Sequence, residues 1–205
     1  MTRDALRPDL MAIADLVPAG ARVLDVGAGD GALMAYLERV KGCDARGIEL
    51  SQDGVHACVA SGLSVVQGDA DTDLANYPTD GFDLAVLSQT LQATHQPRKV
   101  LEELLRIAPR AIVSIPNFAH WRVRISLLLK GRMPVTPSLP KAWYETPNIH
   151  LCTVRDFTAL AATLDAAVEA LICIDAAGRA RPGAGRRLAD INWRAEQAIF
   201  LLARR

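Results

Sequence analysis

The chain is short of the features that most quickly identify a protein. It has no charge imbalance, since 23 Lys and Arg residues stand against 23 Asp and Glu. Neutrality gives no support for a nucleic-acid or membrane-surface partner. Its four cysteines, Cys43, Cys58, Cys152 and Cys173, form no C-x-x-C pair, which argues against a disulfide scaffold or a zinc finger and for reduced thiols. No apolar run approaches the length of a membrane span. No apolar run follows the opening Met-Thr-Arg-Asp, so no signal peptide is expected and a cytoplasmic location is. Internal repeats and long linkers are lacking too. Half of the 205 residues are apolar, which suits one globular domain.

What is present centres on Val23-Leu24-Asp25-Val26-Gly27-Ala28-Gly29-Asp30-Gly31. A β-branched apolar run stops at alternating glycines, and helical periodicity resumes at Leu33, Met34, Leu37 and Val40. This pattern predicts a buried parallel strand, a tight turn and a helix. Glycine serves where φ is positive and where a ligand approaches the main chain, and the helix start adds unpaired N–H groups. Gly27, Gly29 and Ala32 also fit the dinucleotide pattern G-x-G-x-x-A. Asp25 and Asp30 speak against it, because a carboxylate repels a pyrophosphate but tolerates an amine or sulfonium. No Gly-Lys-Ser/Thr follows, which removes the P-loop. A glycine turn with no ligand is the remaining alternative.

The segment D-x-G-x-G-x-G resembles the first motif of the class I S-adenosylmethionine-dependent methyltransferases. Glu49 ends the second strand 20 residues past Gly29, where an acidic side chain can accept both ribose hydroxyls. Asp69, after the third strand (64–67), matches the position from which that superfamily accepts the adenine amino group; a plain turn residue is the alternative. The resemblance implies S-adenosylmethionine or S-adenosylhomocysteine as ligand, lined by Asp25, Gly27, Ala28, Gly29, Gly31, Glu49, Leu50, Asp69, Ala70 and Ser88. After the fourth strand the chain reads Ser88-Gln89-Thr90-Leu91. Methyltransferases acting on adenine or glutamine amines usually carry Asn/Asp-Pro-Pro-Tyr/Phe there, so a nucleic-acid or protein amine substrate loses its main support.

The stretches P-N-F-A-H-W-R (116–122) and T-P-N-I-H-L-C-T (146–153) are more specific than any glycine loop. With them the chain resembles the methionine biosynthesis protein MetW family from the glycine loop to about Phe157. That resemblance implies an α/β three-layer sandwich, a Rossmann-like class I methyltransferase fold. Its sheet would have seven mainly parallel strands, the last inserted antiparallel beside the fifth. It also implies a homoserine O-acyltransferase as partner, which the chain would activate or stabilise. The resemblance favours this partner role. The intact cofactor motifs keep open a second reading, an active methyltransferase on an unidentified small acceptor.

Asn117, His120, Tyr144 and His150 are the candidates for orienting or deprotonating such an acceptor. For the histidines a structural, hydrogen-bonded role is the simpler expectation, and no metal site is expected because neither has a second ligand at suitable spacing. An opening helix is expected over 4–17 and another over 118–129, with Trp121, Ile125, Leu128 and Leu129 packed into the core. Residues 131–150, broken by prolines, read as an irregular lid or partner-binding segment over the cofactor cleft. Within it Met133, Val135, Leu139, Trp143 and Tyr144 should be partly exposed, Trp143 with a buried alternative. Arg179, Arg181, Arg186 and Arg187 lie in a Gly/Pro-rich stretch read as a mobile loop.

Overall fold

A computed structural model describes residues 6–136 and 139–205. The expected start of the first helix at Asp4, and Pro137-Ser138 of the irregular segment, lie outside the described residues.

Strands form where β-branched and apolar residues alternate between two faces. In β1 (Arg22–Val26) Val23 packs to one side and Leu24 and Val26 to the other. β4 (Leu84–Ser88) repeats this, with Leu84 and Val86 opposite Ala85 and Leu87. With both faces apolar, the sheet needs a helical layer on each side. On one face lie α1 (Pro8–Leu16) and α2 (Ala32–Lys41), contributing Ile13, Leu33 and Leu37. α4 (Pro97–Ile107) and α6 (Val154–Ala161) cover the other. Val100, Leu101, Leu104 and Leu105 of α4 are all buried, each contributing roughly 1.5–3 kcal/mol.

The remaining strands are β2 (Asp44–Glu49), β3 (Ser64–Gln67), β5 (Arg110–Pro116), β6 (Ala166–Ile174), β7 (Ala180–Pro182) and β8 (Gln197–Arg204). The spatial order is β3-β2-β1-β4-β5-β8-β6-β7. The first five pair in parallel, and β8 inserts antiparallel beside β5. The sheet therefore has the expected architecture with eight strands rather than seven. The extra one, β7, pairs antiparallel with β6 as a hairpin, from Ile172–Pro182 to Ile174–Ala180. Arg181 thus lies on the sheet edge instead of in a loop, while Arg179, Arg186 and Arg187 stay in the connections on either side of β7. The second connection leads into α7 (Leu188–Arg194), which buries Ile191 and Asn192.

A second correction concerns α5 (Trp121–Lys130). Of its residues only Val123 is buried. Leu128 and Leu129 are 82% and 75% exposed, and Trp121 and Ile125 also meet solvent. The stripe is amphipathic, but among the described residues no layer covers it. In α3 (Gln52–Ala60), likewise, Val59 is exposed and Cys58 alone is buried.

β1 and β4 are neighbours in the sheet, but the chain leaves β1 towards β2 and β4 towards β5. The strand order reverses between them, which in open α/β sheets opens a crevice at the carboxyl ends.

Candidate functional site

At that crevice the turn after β1 is fixed by main-chain bonds. Gly27 and Ala28 both donate to the Ile48 carbonyl, at 2.8 and 3.2 Å. Gly27, Gly29 and Gly31 have φ of +76°, +58° and +77°, which the missing Cβ permits. A Cβ on Gly27 would stand 2.4 Å from Thr90 Oγ1, so the turn lies tight against the residue following β4. One on Gly29 would meet nothing within 4 Å. Gly29 therefore faces open space while Gly27 is walled in.

Glu49 braces the turn from the end of β2. Its carboxylate accepts the Gly29 N–H at 2.7 Å and the Ser51 N–H at 2.8 Å. Asp25 is 2% exposed, and its Oδ1 has no hydrogen-bond partner. Burial, and then the nearby Glu49 charge, push its carboxyl up to about 7.

Two adjoining cavities run along this turn. One, of about 270 Å³, is lined by Ile48, Glu49, Leu50, Asp69, Ala70 and Asp71, and by Gln89 and Thr90. The other, of about 460 Å³, is lined by Asp25, Ala28, Gly29 and Asp30 and by Ser88. Gly27, Gln89 and Thr90 belong to both. Of the ten residues named from the sequence for the cofactor, nine line these cavities, and the tenth, Gly31, caps the start of α2. Asp69 lines the first and also turns the chain, its Oδ1 accepting the Asp71 N–H at 2.8 Å.

Sequence reasoning missed three parts of the site. Asp71 accepts the N–H groups of His95 and Gln96 at 2.7 and 2.8 Å, so the β3 loop holds the entry to α4. Gln89 takes φ +53°, rare outside glycine, and turns the chain sharply from β4 into the crevice; its N–H donates to Ser114 Oγ. Gln92 accepts the N–H groups of Ile149 and His150 on its carbonyl, which ties the irregular segment to the end of β4. A glutamine with left-handed backbone leaves no mark in a sequence, and the Asp71 and Gln92 partners stand 24 or more residues away.

None of the four acceptor candidates lines these cavities. The buried Asn117 amide donates to the carbonyls of Asn192 and Ala195, clasping the end of β5 to α7. His120 is buried, and burial, followed by the Arg122 charge, lowers its imidazole below the ordinary value. Tyr144 and His150 are exposed. Within the irregular segment Leu139 is buried, whereas Val135, Trp143 and Tyr144 are exposed, Trp143 by 75%. Among the described residues no group of His, Cys, Asp and Glu could hold a metal ion, and no helix is long and apolar enough to cross a membrane.

A family model described as methionine biosynthesis protein MetW matches residues 7–202. The chain belongs to the MetW family. It is 32% identical over 173 residues to the bifunctional methionine biosynthesis protein MetXA/MetW of Rhodopirellula baltica, covering 80% of this chain and 28% of that one. The curated relatives that this MetW-family chain matches are much longer, and it spans about a third or less of each. Among solved structures it is similar to S-adenosylmethionine-dependent methyltransferases of Thermotoga maritima and Mesorhizobium loti. The TM-scores are 0.71 and 0.69 at 17% and 19% identity, over 97% and 99% of this chain and 88% and 100% of those. This likeness shows that the MetW-family chain has the class I methyltransferase fold.

Proposed function

We propose that this chain binds S-adenosylmethionine along the two joined cavities and transfers its methyl group to a small acceptor. The observation that carries the reading is the unpartnered Asp25 oxygen beside an open glycine turn. A buried carboxylate without a partner is costly, and an ammonium or sulfonium placed there would relieve it. Glu49 and Leu50 at the end of β2 and Asp69 at the end of β3 would hold the ribose and adenine. Gly27 to Gly29 would lie against the amino-acid end. When bound, the cofactor supplies an electrophilic methyl group; a nucleophile's lone pair bonds to that carbon while the S–C electron pair returns to sulfur. The chain's contribution is orientation and exclusion of water by the walls around Gln89 and Thr90.

Calorimetric titration with S-adenosylhomocysteine, wild type against Gly29→Val, tests the binding site. A tritiated-methyl assay on cell extract tests transfer. Equal binding by both proteins would sink the assignment of the turn.

A second reading has its own support. The Rhodopirellula baltica protein is called MetXA/MetW, which joins a second activity to the MetW part in one chain. In this reading the chain acts on a homoserine O-acyltransferase, with the cofactor as an affinity modulator. The surfaces that suit it are the exposed face of α5 and the Trp143–Tyr144 pair, whose rings meet edge to face at 5.7 Å. Exposed aromatic and arginine side chains are the usual anchors of such contacts.

A further inference from the structure

Next to the cavity at Asp25 lies a third, of about 400 Å³, which shares Arg7 and Gln89 with it and is also lined by Lys141 and Asn148. Three amide side chains that line it are incompletely bonded. Gln92 is 3% exposed; its Nε2 donates to the Gln89 carbonyl at 2.6 Å, and its Oε1 has no partner. Gln197, on β8, has a buried Oε1 without a partner, and Gln89 has a buried Nε2 without one. These residues come from two separate stretches of the chain, 89–92 and the start of β8, and orphaned polar atoms of this kind are rare in native interiors. All three residues line the cavity, while the orphaned atoms themselves are buried. The last torsion of glutamine is broad, so a small rotation would present each of them to a bound molecule.

The charges around the cavity are unequal. Arg7 pairs with Asp9 at 3.0 Å, whereas Lys141 forms no ion pair among the described residues. One positive charge is left over.

We infer that this cavity is the acceptor subsite and takes a small α-amino acid. The carboxylate meets Lys141 and the Gln89 amide N–H, and the ammonium or neutral amine donates to the amide oxygens of Gln92 and Gln197. Two acceptors, one donor and one unpaired cation complement a group carrying both an anion and N–H donors. A plain amine would leave Lys141 unanswered, and an apolar molecule would leave all three amides unbonded. Its common wall with the Asp25 cavity, at Arg7 and Gln89, would bring the side chain of the amino acid towards the methyl donor. The inference rests on the cofactor reading above for its role as acceptor site, though not for binding itself.

The common L-amino acids are titrated calorimetrically, pooled and then singly, into the full chain with and without saturating S-adenosylhomocysteine. At least one should bind. Its α-amide, in which the carboxylate is capped, should bind about tenfold more weakly or worse, and Lys141→Gln should lose a similar factor. Lys141 is exposed, so melting temperature and S-adenosylhomocysteine affinity should be unchanged in that variant. Gln92→Leu should weaken the same amino acid, with its melting curve reporting on folding. Binding of none of the amino acids, or binding indifferent to the amide and to Lys141→Gln, overturns the inference. S-adenosylhomocysteine is titrated separately into the same proteins. Its failure to bind would remove the cofactor reading, while the amino-acid titration of the free chain would still decide the cavity.

Discussion

Glu49 accepts the Gly29 N–H at 2.7 Å, so the end of β2 holds open the turn that follows β1. The same carboxylate accepts the Ser51 N–H, and its charge adds to burial, the larger cause, in raising the Asp25 carboxyl. One side chain thus shapes the turn and contributes to the electrostatics of the crevice. Glu49→Ala should lower stability by roughly 1–2 kcal/mol through the lost charge-assisted bonds. It should weaken S-adenosylhomocysteine binding much more than that, read by denaturant melts and calorimetry. Undiminished binding would show that Glu49 serves the turn alone.

The two glycines of the turn should respond differently. At Gly29 a side chain meets only the left-handed backbone, a cost of roughly 1–2 kcal/mol. Gly29→Val should therefore fold and lose the ligand. Gly27→Ala carries the same backbone cost and a collision with Thr90, so it should melt lower than Gly29→Ala. Equal melting temperatures for the two alanine variants would contradict the packing at Thr90.

Asp25 predicts a pH dependence. Its folded value of about 7 lies above the ordinary carboxylate value near 4, so between the two the folded chain holds more protons than the unfolded one. Stability from this group is therefore greatest below about pH 4 and falls as the pH rises to about 7. Asp25→Asn removes that slope. Near pH 8 the variant should be more stable than wild type by roughly 2–4 kcal/mol, and near pH 4 the difference should vanish. Binding of a cationic ligand end should release a proton in wild type near pH 7, seen as a buffer-dependent heat, and not in the variant.

Asp71 joins two elements that the sequence separates. Asp71→Ala would leave the N–H groups of His95 and Gln96 without their acceptor and cost roughly 1–3 kcal/mol. Amide exchange at the start of α4 should rise with it. An unchanged melting temperature would show that water replaces the carboxylate at little cost.

Trp143 is 75% exposed, so Trp143→Ala should change stability by less than about 0.5 kcal/mol. If the aromatic pair anchors a homoserine O-acyltransferase, the variant should recover less of it in co-purification. Full recovery would remove this surface from the interface.

Much of the site was legible because its constraints are local. The turn at Gly27–Gly31 needs positive φ at three positions, and glycine at each of them announces it. Glu49 and Asp69 could be placed because each ends a strand, and parallel strands put their carboxyl ends along one crevice. The stripe of α5 shows the limit of periodicity. Trp121, Ile125, Leu128 and Leu129 repeat as a core-facing helix would, and repetition does not say whether a layer exists to cover them. The hairpin of β6 and β7 was hidden by arginines and glycines that suit a sheet edge as well as a loop.

The sequence by itself determined the strand–turn–helix unit at 22–41, the alternation that requires helices on both faces, and the acidic residues at the strand ends. Each follows from the conformational preferences and spacing of residues close together in the chain. Only the tertiary structure decided that Asp71 holds the entry to α4, that Gln89, Gln92 and Gln197 share one cavity, and that Asn117 clasps α7 instead of facing the crevice. Most of those relationships span 24 to 108 positions, as from Asp71 to His95 and from Gln89 to Gln197. Those of Asn117 and Gln197 depend on β8 inserting beside β5, a packing outcome to which no local propensity points.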